Sequence, residues 1–345
     1  MENMEIKNIL VTGSEGYIGS VLVQKLLEKE YNIQGIDTLF FSVLHDTKPN
    51  GYVLTQKDIR EITKEDLQGV DAIIHLAALS NDASGEINSK LTTAINYKAT
   101  VQLAKKAKKA GVKRFIFSSS CSVYGISKSG VVDEKSATNP LTEYAKSKIL
   151  SEKVLQKLAD SKFTVVLMRN ATVYGYSPAF RNDLVVNNLV SCALALGEIR
   201  IKSDGTPWRP LIDVKDLSEI MIRFLTIPSN KINGKIINVG FNENNFQVKD
   251  ILNIIQKKLP QCTITYTKEH GSDTRSYQVN FDMLTKIMPT LTQQWPIEKS
   301  VEDLIANLKR ILFTKEHFQS GKYERLTKLR SLLTKKEVNE NLFWR

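Results

Sequence analysis

Residues 7–20 read KNILVTGSEGYIGS, an aliphatic run followed by three glycines at Gly13, Gly16 and Gly19. The pattern predicts a strand, a tight turn and a helix that begins within the turn. Gly13 would let the chain turn sharply, Gly16 would let backbone approach a bound diphosphate, and Gly19 would let helix and strand pack closely. Free N–H groups at the start of the helix suit phosphate oxygens. The segment therefore predicts a dinucleotide site that also includes Tyr17 and Ile18.

An acidic residue, Asp37, ends the second predicted strand, residues 31–36. Its carboxylate would accept hydrogen bonds from the adenosine ribose and repel a 2′-phosphate, which favours NAD over NADP. The alternative is that Asp37 only begins a turn. The segments DIR (residues 58–60) and HLAA (residues 75–78) lie where the third and fourth strands are expected to end. Taken singly, either segment is also compatible with an ordinary loop.

Strands and helices alternate through the first half of the chain. We predict strands at residues 7–12, 31–36, 72–76, 114–118 and 164–169 and helices at 20–29, 88–110 and 143–158. This alternation is typical of an α/β protein with a doubly wound parallel sheet of the Rossmann type. We expect an NAD-binding domain over residues 1–175, a smaller substrate-binding lobe over 176–314 with segments that return to the sheet, and a basic helical or partly ordered tail over 315–345.

The net charge of +11 has a local origin. Residues 309–345 hold ten Lys and Arg against four Asp and Glu, and Lys105, Lys106, Lys108 and Lys109 share one predicted helix. No aromatic residues alternate with them as in nucleic-acid modules, so we expect a solvated helix face and no nucleic-acid partner. A mild attraction for anionic substrates is the functional alternative.

The remaining composition is typical of a soluble protein. No apolar run approaches the roughly 20 residues that span a bilayer, and residues 1–7 do not resemble a secretory leader. The three cysteines, Cys121, Cys192 and Cys262, are widely spaced. Neither disulfides nor a metal site is expected from that spacing. We therefore expect a cytoplasmic protein that does not contact membranes.

A catalytic pattern follows in the segment YAKSK, where Tyr144 and Lys148 are four residues apart on a predicted helix. Residues at this spacing lie on one helix face. A lysine ammonium and a positive nicotinamide ring would stabilise the phenolate and lower the pKa of the tyrosine. Upstream, FSSSCSVYG (residues 117–125) ends a predicted strand with hydroxyls. An exposed helix face is the structural alternative for the Tyr144/Lys148 pair.

These motifs together resemble the extended short-chain dehydrogenase/reductases, in the branch of nucleotide-sugar epimerases and dehydratases, over about residues 6–310. FIFSSS, VYG and YAKSK are similar to UDP-glucose 4-epimerases, and residues 171–187 are similar to bacterial GDP-heptose 4-dehydrogenases. The resemblance implies a homodimer formed through the helices at about 88–110 and 143–158. It also implies NAD as the cofactor and a nucleoside-diphosphate sugar as the substrate.

The resemblance assigns roles to individual residues. It implies that Tyr144 is the acid/base, that Lys148 binds the nicotinamide ribose, and that Ser120 bonds the same sugar oxygen. The implied cofactor contacts are Gly13, Gly16, Tyr17, Ile18, Gly19, Asp37, Asp58, Ile59, Leu76, Ala77, Ala78, Asn96, Ser118, Tyr144 and Lys148. The implied substrate contacts are Ser80, Ser120, Thr172, Arg181, Asn187, Arg209 and Arg275. Arg209 and Arg275 are expected to bind the diphosphate, and a surface salt bridge is the alternative for each.

The implied reaction begins with oxidation of the sugar at carbon 4. Dehydratases of the family place Asp-Glu after the catalytic Ser or Thr, whereas this chain has Cys121 and Ser122, so dehydration is not expected. We predict a 4-epimerase, with a 4-dehydrogenase or 4-ketoreductase as the alternative and a non-catalytic NAD-binding regulator as a distant one. The chain departs from the family pattern at Asp213, where histidine is usual, and at Thr172, where asparagine is usual. The identity of the base and of the sugar therefore stays open.

Overall fold

The structure is a computed structural model that describes residues 6–41, 50–80, 88–201, 204–266 and 276–345, apart from the side chains of 127–129. Its strands are β1 (Asn8–Thr12), β2 (Asn32–Asp37), β3 (Tyr52–Gln56), β4 (Ala72–His75), β5 (Arg114–Ser120), β6 (Ile126–Val132), β7 (Thr164–Asn170), β8 (Thr172–Tyr174), β9 (Glu198–Ile201), β10 (Trp208–Asp213), β11 (Lys235–Val239), β12 (Asn245–Gln247), β13 (Thr263–Tyr266) and β14 (Ser276–Val279).

Helices connect most of these strands. They are α1 (Tyr17–Glu28), α2 (Ser89–Thr92), α3 (Thr100–Lys109), α4 (Glu143–Leu158), α5 (Val185–Leu196), α6 (Val214–Arg223), α7 (Ser229–Ile232), α8 (Val248–Lys258), α9 (Asp282–Ile287), α10 (Ile297–Arg310), α11 (Lys315–Gln319) and α12 (Arg325–Thr334). The helix predicted at 88–110 is interrupted by a π-helical segment, Thr93–Ala99, between α2 and α3.

Seven parallel strands form the central sheet in the order β11-β7-β5-β4-β1-β2-β3. Their side chains alternate between two buried faces, which explains why β4, β5 and β7 each contain an unbroken apolar run, at residues 72–74, 115–117 and 165–168. Strands β2 and β3 are added on one side of β1, whereas β4 and the later strands are added on the other side. Doubly wound sheets bind ligands at this point, beyond the carboxyl ends of β1 and β4. The predicted Rossmann-type fold is therefore confirmed.

A second lobe lies after β7. Its strands form the three-stranded sheet β12-β10-β8 and the pair β13-β9. Its core includes Val186 and Val190 of α5, Ile251 of α8 and Leu304 of α10, all buried. Two crossings tie this lobe to the first one, since β11 returns to the central sheet and β14 pairs with β6.

The C-terminal segment packs on both lobes. Sequence analysis predicted a basic helical or partly ordered tail over 315–345, and the structure forms α11 and α12 there. Four apolar side chains, Leu329, Leu332, Val338 and Leu342, are at most 1% exposed and share the core beneath β2, β4 and α3. They lie in a segment rich in charged and polar residues, so composition alone did not identify them as core residues.

Candidate active site

The glycine-rich turn has the geometry that the sequence predicts. Gly13 donates its backbone N–H to Ile36 O at 2.8 Å and has a φ of +73°, a left-handed conformation that favours glycine. A Cβ on Gly13 would lie 2.8 Å from Ala77 N, and a Cβ on Gly19 would overlap Gly13 O. The turn therefore brings the N-terminus of α1 against the ends of β1 and β4, with no side chain in between.

The carboxylate of Asp37 lies at the end of β2, beside this turn. Its oxygens accept backbone hydrogen bonds from Glu15 at 3.0 Å and from Leu39 at 2.8 Å. Burial raises the pKa of Asp37 to about 6, although both N–H groups favour the ionised form. The group is thus held in place and still ionised at neutral pH, as a ribose acceptor requires.

Helix α4 carries the predicted catalytic pair. Thr142 caps the helix by accepting a hydrogen bond from Ala145 N at 3.2 Å, which fixes the first turn where Tyr144 lies. Lys148 Nζ donates to Ser118 O at 2.6 Å and lies 5.5 Å from the ring centroid of Tyr144. Burial lowers the pKa of Lys148 to about 8, so its ammonium remains mostly charged at pH 7.

Ser120 ends β5 and begins the short 3₁₀ helix Cys121–Tyr124. Its Oγ accepts a hydrogen bond from Ser122 N at 3.1 Å, which orients the hydroxyl. Cys121 points away from the cavity and its thiol donates to Arg169 O at 3.1 Å. Burial raises the pKa of this thiol, which keeps it protonated. Cys121 therefore has a packing role.

One cavity of about 490 Å³ joins the glycine turn to the catalytic helix. The predicted residues that line it are Gly13, Gly16, Tyr17, Ile18, Gly19, Asp37, Asp58, Ile59, Leu76, Ala77, Ala78, Ser80, Ser118, Ser120, Tyr144, Lys148, Thr172, Arg181 and Arg209. Ser122 Oγ and Asn170 Oδ1 also border this cavity, and both are buried without a hydrogen-bond partner among the described residues. Unpaired buried polar atoms are costly, so they indicate positions for polar groups of a ligand. The cavity therefore fits a dinucleotide and a polar second ligand.

Comparison with known proteins shows the family. A model of the NAD-dependent epimerase/dehydratase family matches residues 9–240. The chain belongs to this family. It is 32% identical to the UDP-glucose 4-epimerase of Bacillus subtilis over 269 residues, which cover 67% of this chain and 76% of the relative. It is 26% identical to the mouse dTDP-D-glucose 4,6-dehydratase over 317 residues, 86% of this chain and 88% of the relative.

A solved structure gives the same result for the fold. The UDP-glucuronic acid 4-epimerase of Bacillus cereus, solved with UDP-glucuronic acid and NAD, is 25% identical with a TM-score of 0.76. The match covers 88% of this chain and 99% of the other, which leaves part of this chain without a counterpart there. Our NAD-dependent epimerase/dehydratase is thus an enzyme of the extended short-chain dehydrogenase/reductase type, and its cofactor is NAD.

Two predicted contacts of this epimerase/dehydratase do not line the cavity. Asn96 Oδ1 accepts from Leu79 N at 2.8 Å and its Nδ2 donates to Leu79 O at 3.1 Å, so the side chain holds the loop after β4. Asn187 Oδ1 accepts from Gly175 N at 2.9 Å, and its Nδ2 lies 3.2 Å from the Tyr17 hydroxyl. Both asparagines support neighbouring groups that do line the cavity. Their direct roles in ligand binding stay predictions.

The second lobe contributes the polar groups expected at the substrate end. Arg181 Nε and Nη2 donate to the two oxygens of Asp183 at 2.9 Å each, and Nη1 lies 3.3 Å from Ser80 Oγ. Arg209 lies in β10 with Nη1 2.9 Å from Trp208 O. Arg275 lies outside the described residues. Asp213, where the family usually has histidine, is buried and caps α6 by accepting from Lys215 N at 2.7 Å.

Sequence reasoning missed several residues that line the cavity, and Asn170, Asp183 and Arg325 are among them. Asn170 is the last residue of β7, after a continuous apolar run, and its position at the end of that strand was a usable signal. Asp183 was visible only as a neighbour of Arg181. Arg325 comes from the C-terminal segment, and no local pattern placed it near the glycine turn.

Proposed function

We propose that this enzyme is a nucleoside-diphosphate-hexose 4-epimerase, with UDP-hexoses as its first candidate substrates. The observation that carries the proposal is that Ser120, Tyr144 and Lys148 border the same cavity as the glycine turn and Asp37. Relatives named as UDP-glucose 4-epimerase and UDP-glucuronic acid 4-epimerase support the choice of reaction and of base. A cavity that continues to Arg181 and Arg209 supports a second, anionic ligand.

The residues divide the proton chemistry between them. Tyr144 takes the proton of the sugar 4-hydroxyl and later returns it, while Ser120 Oγ hydrogen-bonds the same oxygen. The Lys148 ammonium, buried one helical turn away, stabilises the phenolate that forms on Tyr144. NAD, when bound, supplies the ring that accepts the hydride of carbon 4 and gives it back. Epimerisation then requires the sugar to present its other face before the proton and hydride return.

The carboxylates of the cavity argue against elimination of water. Among the described lining residues they are Asp37, Asp58 and Asp183. Asp37 is bound by backbone N–H groups, Asp58 by the guanidinium of Arg60 at 2.7 Å, and Asp183 by Arg181. None follows Ser120, where Cys121 and Ser122 stand instead. An acid and base for removing water are therefore missing at that place, which supports epimerisation over dehydration.

The C-terminal segment favours epimerisation over net oxidation. Trp344 Nε1 donates to Thr38 O at 2.5 Å and its ring packs on Phe40 at a centroid distance of 5.3 Å. Thr38 and Phe40 line the adenosine end of the cavity. We infer that this contact steadies the cavity wall at Thr38 and Phe40 and slows cofactor exchange, which suits a reaction that regenerates NAD in each turnover. A dehydrogenase must release NADH each time.

The test is an assay with purified enzyme and a panel of UDP-, dTDP- and GDP-hexoses, followed by proton NMR. The proposal requires interconversion of one pair of 4-epimers without consumption of added NAD. Stoichiometric NADH, seen at 340 nm together with a stable keto product, would establish a 4-dehydrogenase. Tyr144→Phe serves as the inactive control in every assay.

Assembly and location are further proposals. We infer a homodimer through the helical segments at about 88–110 and 143–158, and Leu150, 43% exposed on α4, supports an apolar contact there. Light scattering that gives a monomer mass would contradict it. None of the described helices is long and apolar enough to cross a bilayer. A role in cytoplasmic carbohydrate biosynthesis would follow from the proposed substrate.

A further inference from the structure

The C-terminal segment, residues 314–345, connects the second lobe to the adenosine end of the cofactor site. Near its start, Tyr323 O accepts from Asn182 N at 2.9 Å, on the loop before α5. Near its end, the ring of Phe343 packs against the guanidinium of Arg60, 3.7 Å from the ring centroid. These contacts at both ends fix the position of α12 between the two lobes.

Arg325, the first residue of α12, lines the cavity and is only 4% exposed. Its Nη2 donates to Ala179 O at 2.9 Å, and its Cζ lies 4.4 Å from the ring centroid of Phe41. Within the described ranges, Ala179 O is the one acceptor that this guanidinium contacts. A guanidinium carries five N–H donors, so most of them have no acceptor among the described residues.

The burial of Arg325 is only partly compensated by the nearby carboxylates of Asp183 and Asp37. Burial lowers the pKa of Arg325 to about 9, and the nearby positive charge of Arg181 adds to this effect. Its place at a helix N-terminus is also unfavourable for a cation, because the helix dipole is positive there. An anion bound between Arg325 and Arg181 would offset all three costs.

We propose that Arg325 binds the diphosphate of NAD. The charged and polar groups that it interacts with over longer distances are Arg181, Asp183, Asp37 and Tyr17. Asp37 and Tyr17 flank the glycine turn, where a dinucleotide places its phosphates. Phe41, on whose ring the guanidinium packs, lies four residues after Asp37 and also lines the cavity. The anion nearest to this guanidinium is therefore that of the cofactor, and the last helix completes a site that the first turn begins.

The test is calorimetric titration of the NAD-free enzyme with NAD, ADP-ribose and adenosine. Arg325→Gln should bind NAD and ADP-ribose about 10- to 100-fold more weakly, with adenosine affinity unchanged within about twofold. Arg330→Gln is the matched control, since Arg330 lies exposed on the same helix, and it should bind all three ligands like the wild type. No sugar nucleotide is present, so failure of the proposed epimerase would leave this result unaffected.

An equal loss of affinity for adenosine and ADP-ribose would overturn the proposal, because it would indicate only a packing role. Unchanged affinity for ADP-ribose would overturn it as well. Since Arg325 is buried, Arg325→Lys provides a milder variant, with about 3- to 10-fold weaker ADP-ribose binding expected. A measurement on the wild type is independent of folding: ADP-ribose should slow amide exchange in 325–334, whereas adenosine should not. Equal protection by both ligands would contradict the phosphate contact.

Discussion

Arg169 Nη2 donates to Glu152 Oε2 at 2.8 Å, and the two side chains are only 5% and 2% exposed. Ser119 Oγ donates to Oε1 of the same carboxylate at 2.5 Å. One buried carboxylate therefore joins α4 to β5 and β7. Because Lys148 lies one turn before Glu152 and Ser120 follows Ser119, this ion pair fixes the catalytic helix against the strand that carries the serine.

Loss of this carboxylate should weaken the fold. Glu152→Gln leaves the Arg169 guanidinium buried without its counter-charge, so we expect the free energy of unfolding to fall by about 3–5 kcal/mol. Urea denaturation of the NAD-free enzyme measures it. Glu143→Gln, in a more exposed pair with Lys146 on the same helix, should lose under about 1 kcal/mol. Similar losses in the two variants would contradict the role given to burial.

Removal of the Tyr144 hydroxyl should stop the reaction and spare the cofactor. Since the phenol carries the proton, we expect Tyr144→Phe to lower kcat by about 10²- to 10⁴-fold. NAD affinity, measured by calorimetry, should change by less than about threefold. Tyr266→Phe, an exposed tyrosine on β13, is the control and should keep full activity. Activity near the wild-type level in Tyr144→Phe would assign the proton transfer to another group.

Lys148 should reduce the stability of the NAD-free protein at neutral pH. Its pKa is lowered from 10.5 to about 8 by burial, so the folded state disfavours the ammonium by on the order of 3 kcal/mol. This penalty is complete below pH 8 and disappears as the pH rises toward 10.5, because the unfolded state then loses the proton too. Lys148→Met should therefore be at least as stable as the wild type at pH 7, with its advantage reduced at pH 10.

Urea denaturation at the two pH values measures this difference. The exposed Lys153 of the same helix gives the control, since Lys153→Met should show no such dependence on pH. A Lys148→Met protein that is much less stable than the wild type at pH 7 would mean that the hydrogen bond to Ser118 O outweighs the cost of burial.

NAD affinity should fall in mild acid through Asp37. Burial raises the pKa of this carboxyl to about 6, and only the ionised form accepts hydrogen bonds from both ribose hydroxyls. We expect about tenfold weaker binding at pH 5 than at pH 7.5, measured by calorimetry. Asp37→Asn should bind NAD weakly at both pH values and discriminate less against NADP. A pH dependence retained in Asp37→Asn would assign the titration to a different group.

The C-terminal segment should contribute to the stability of the NAD-binding lobe. Leu342 is buried beside the core of the central sheet, so Leu342→Ala should lower the free energy of unfolding by about 2–5 kcal/mol. Leu312→Ala, at a leucine that is 76% exposed, should have an effect under about 1 kcal/mol. Equal losses of unfolding free energy in Leu342→Ala and Leu312→Ala would mean that the C-terminal segment does not unfold cooperatively with the NAD-binding lobe.

The predictions that agree with the structure rest on residues that are close together in the sequence. The helix expected at 143–158 matches α4, because Thr142 caps it and the catalytic pair lies on one of its faces. The glycine turn and Asp37 could be predicted equally well, because the strand, the turn and the helix are adjacent in the chain. The parallel sheet followed from the alternation of strands and helices.

The features that the sequence did not predict depend on contacts between residues far apart in the chain. Asn96 and Asn187 were predicted as ligand contacts, yet where an amide points depends on backbone groups that no pattern reveals, such as Leu79 and Gly175. Arg325 reaches the glycine turn only through folding of the whole chain. The π-helical segment at Thr93–Ala99 also had no sequence signal, because no local residue pattern distinguishes a π-helical turn from an α-helical one.

The position of α12 has a consequence for folding during synthesis. The glycine turn is synthesised about 310 residues before Arg325, and Arg325 and Leu342 pack on the same half of the molecule. The nascent nucleotide-binding half therefore cannot complete its core and its ligand cleft until residues 325–342 have left the ribosome.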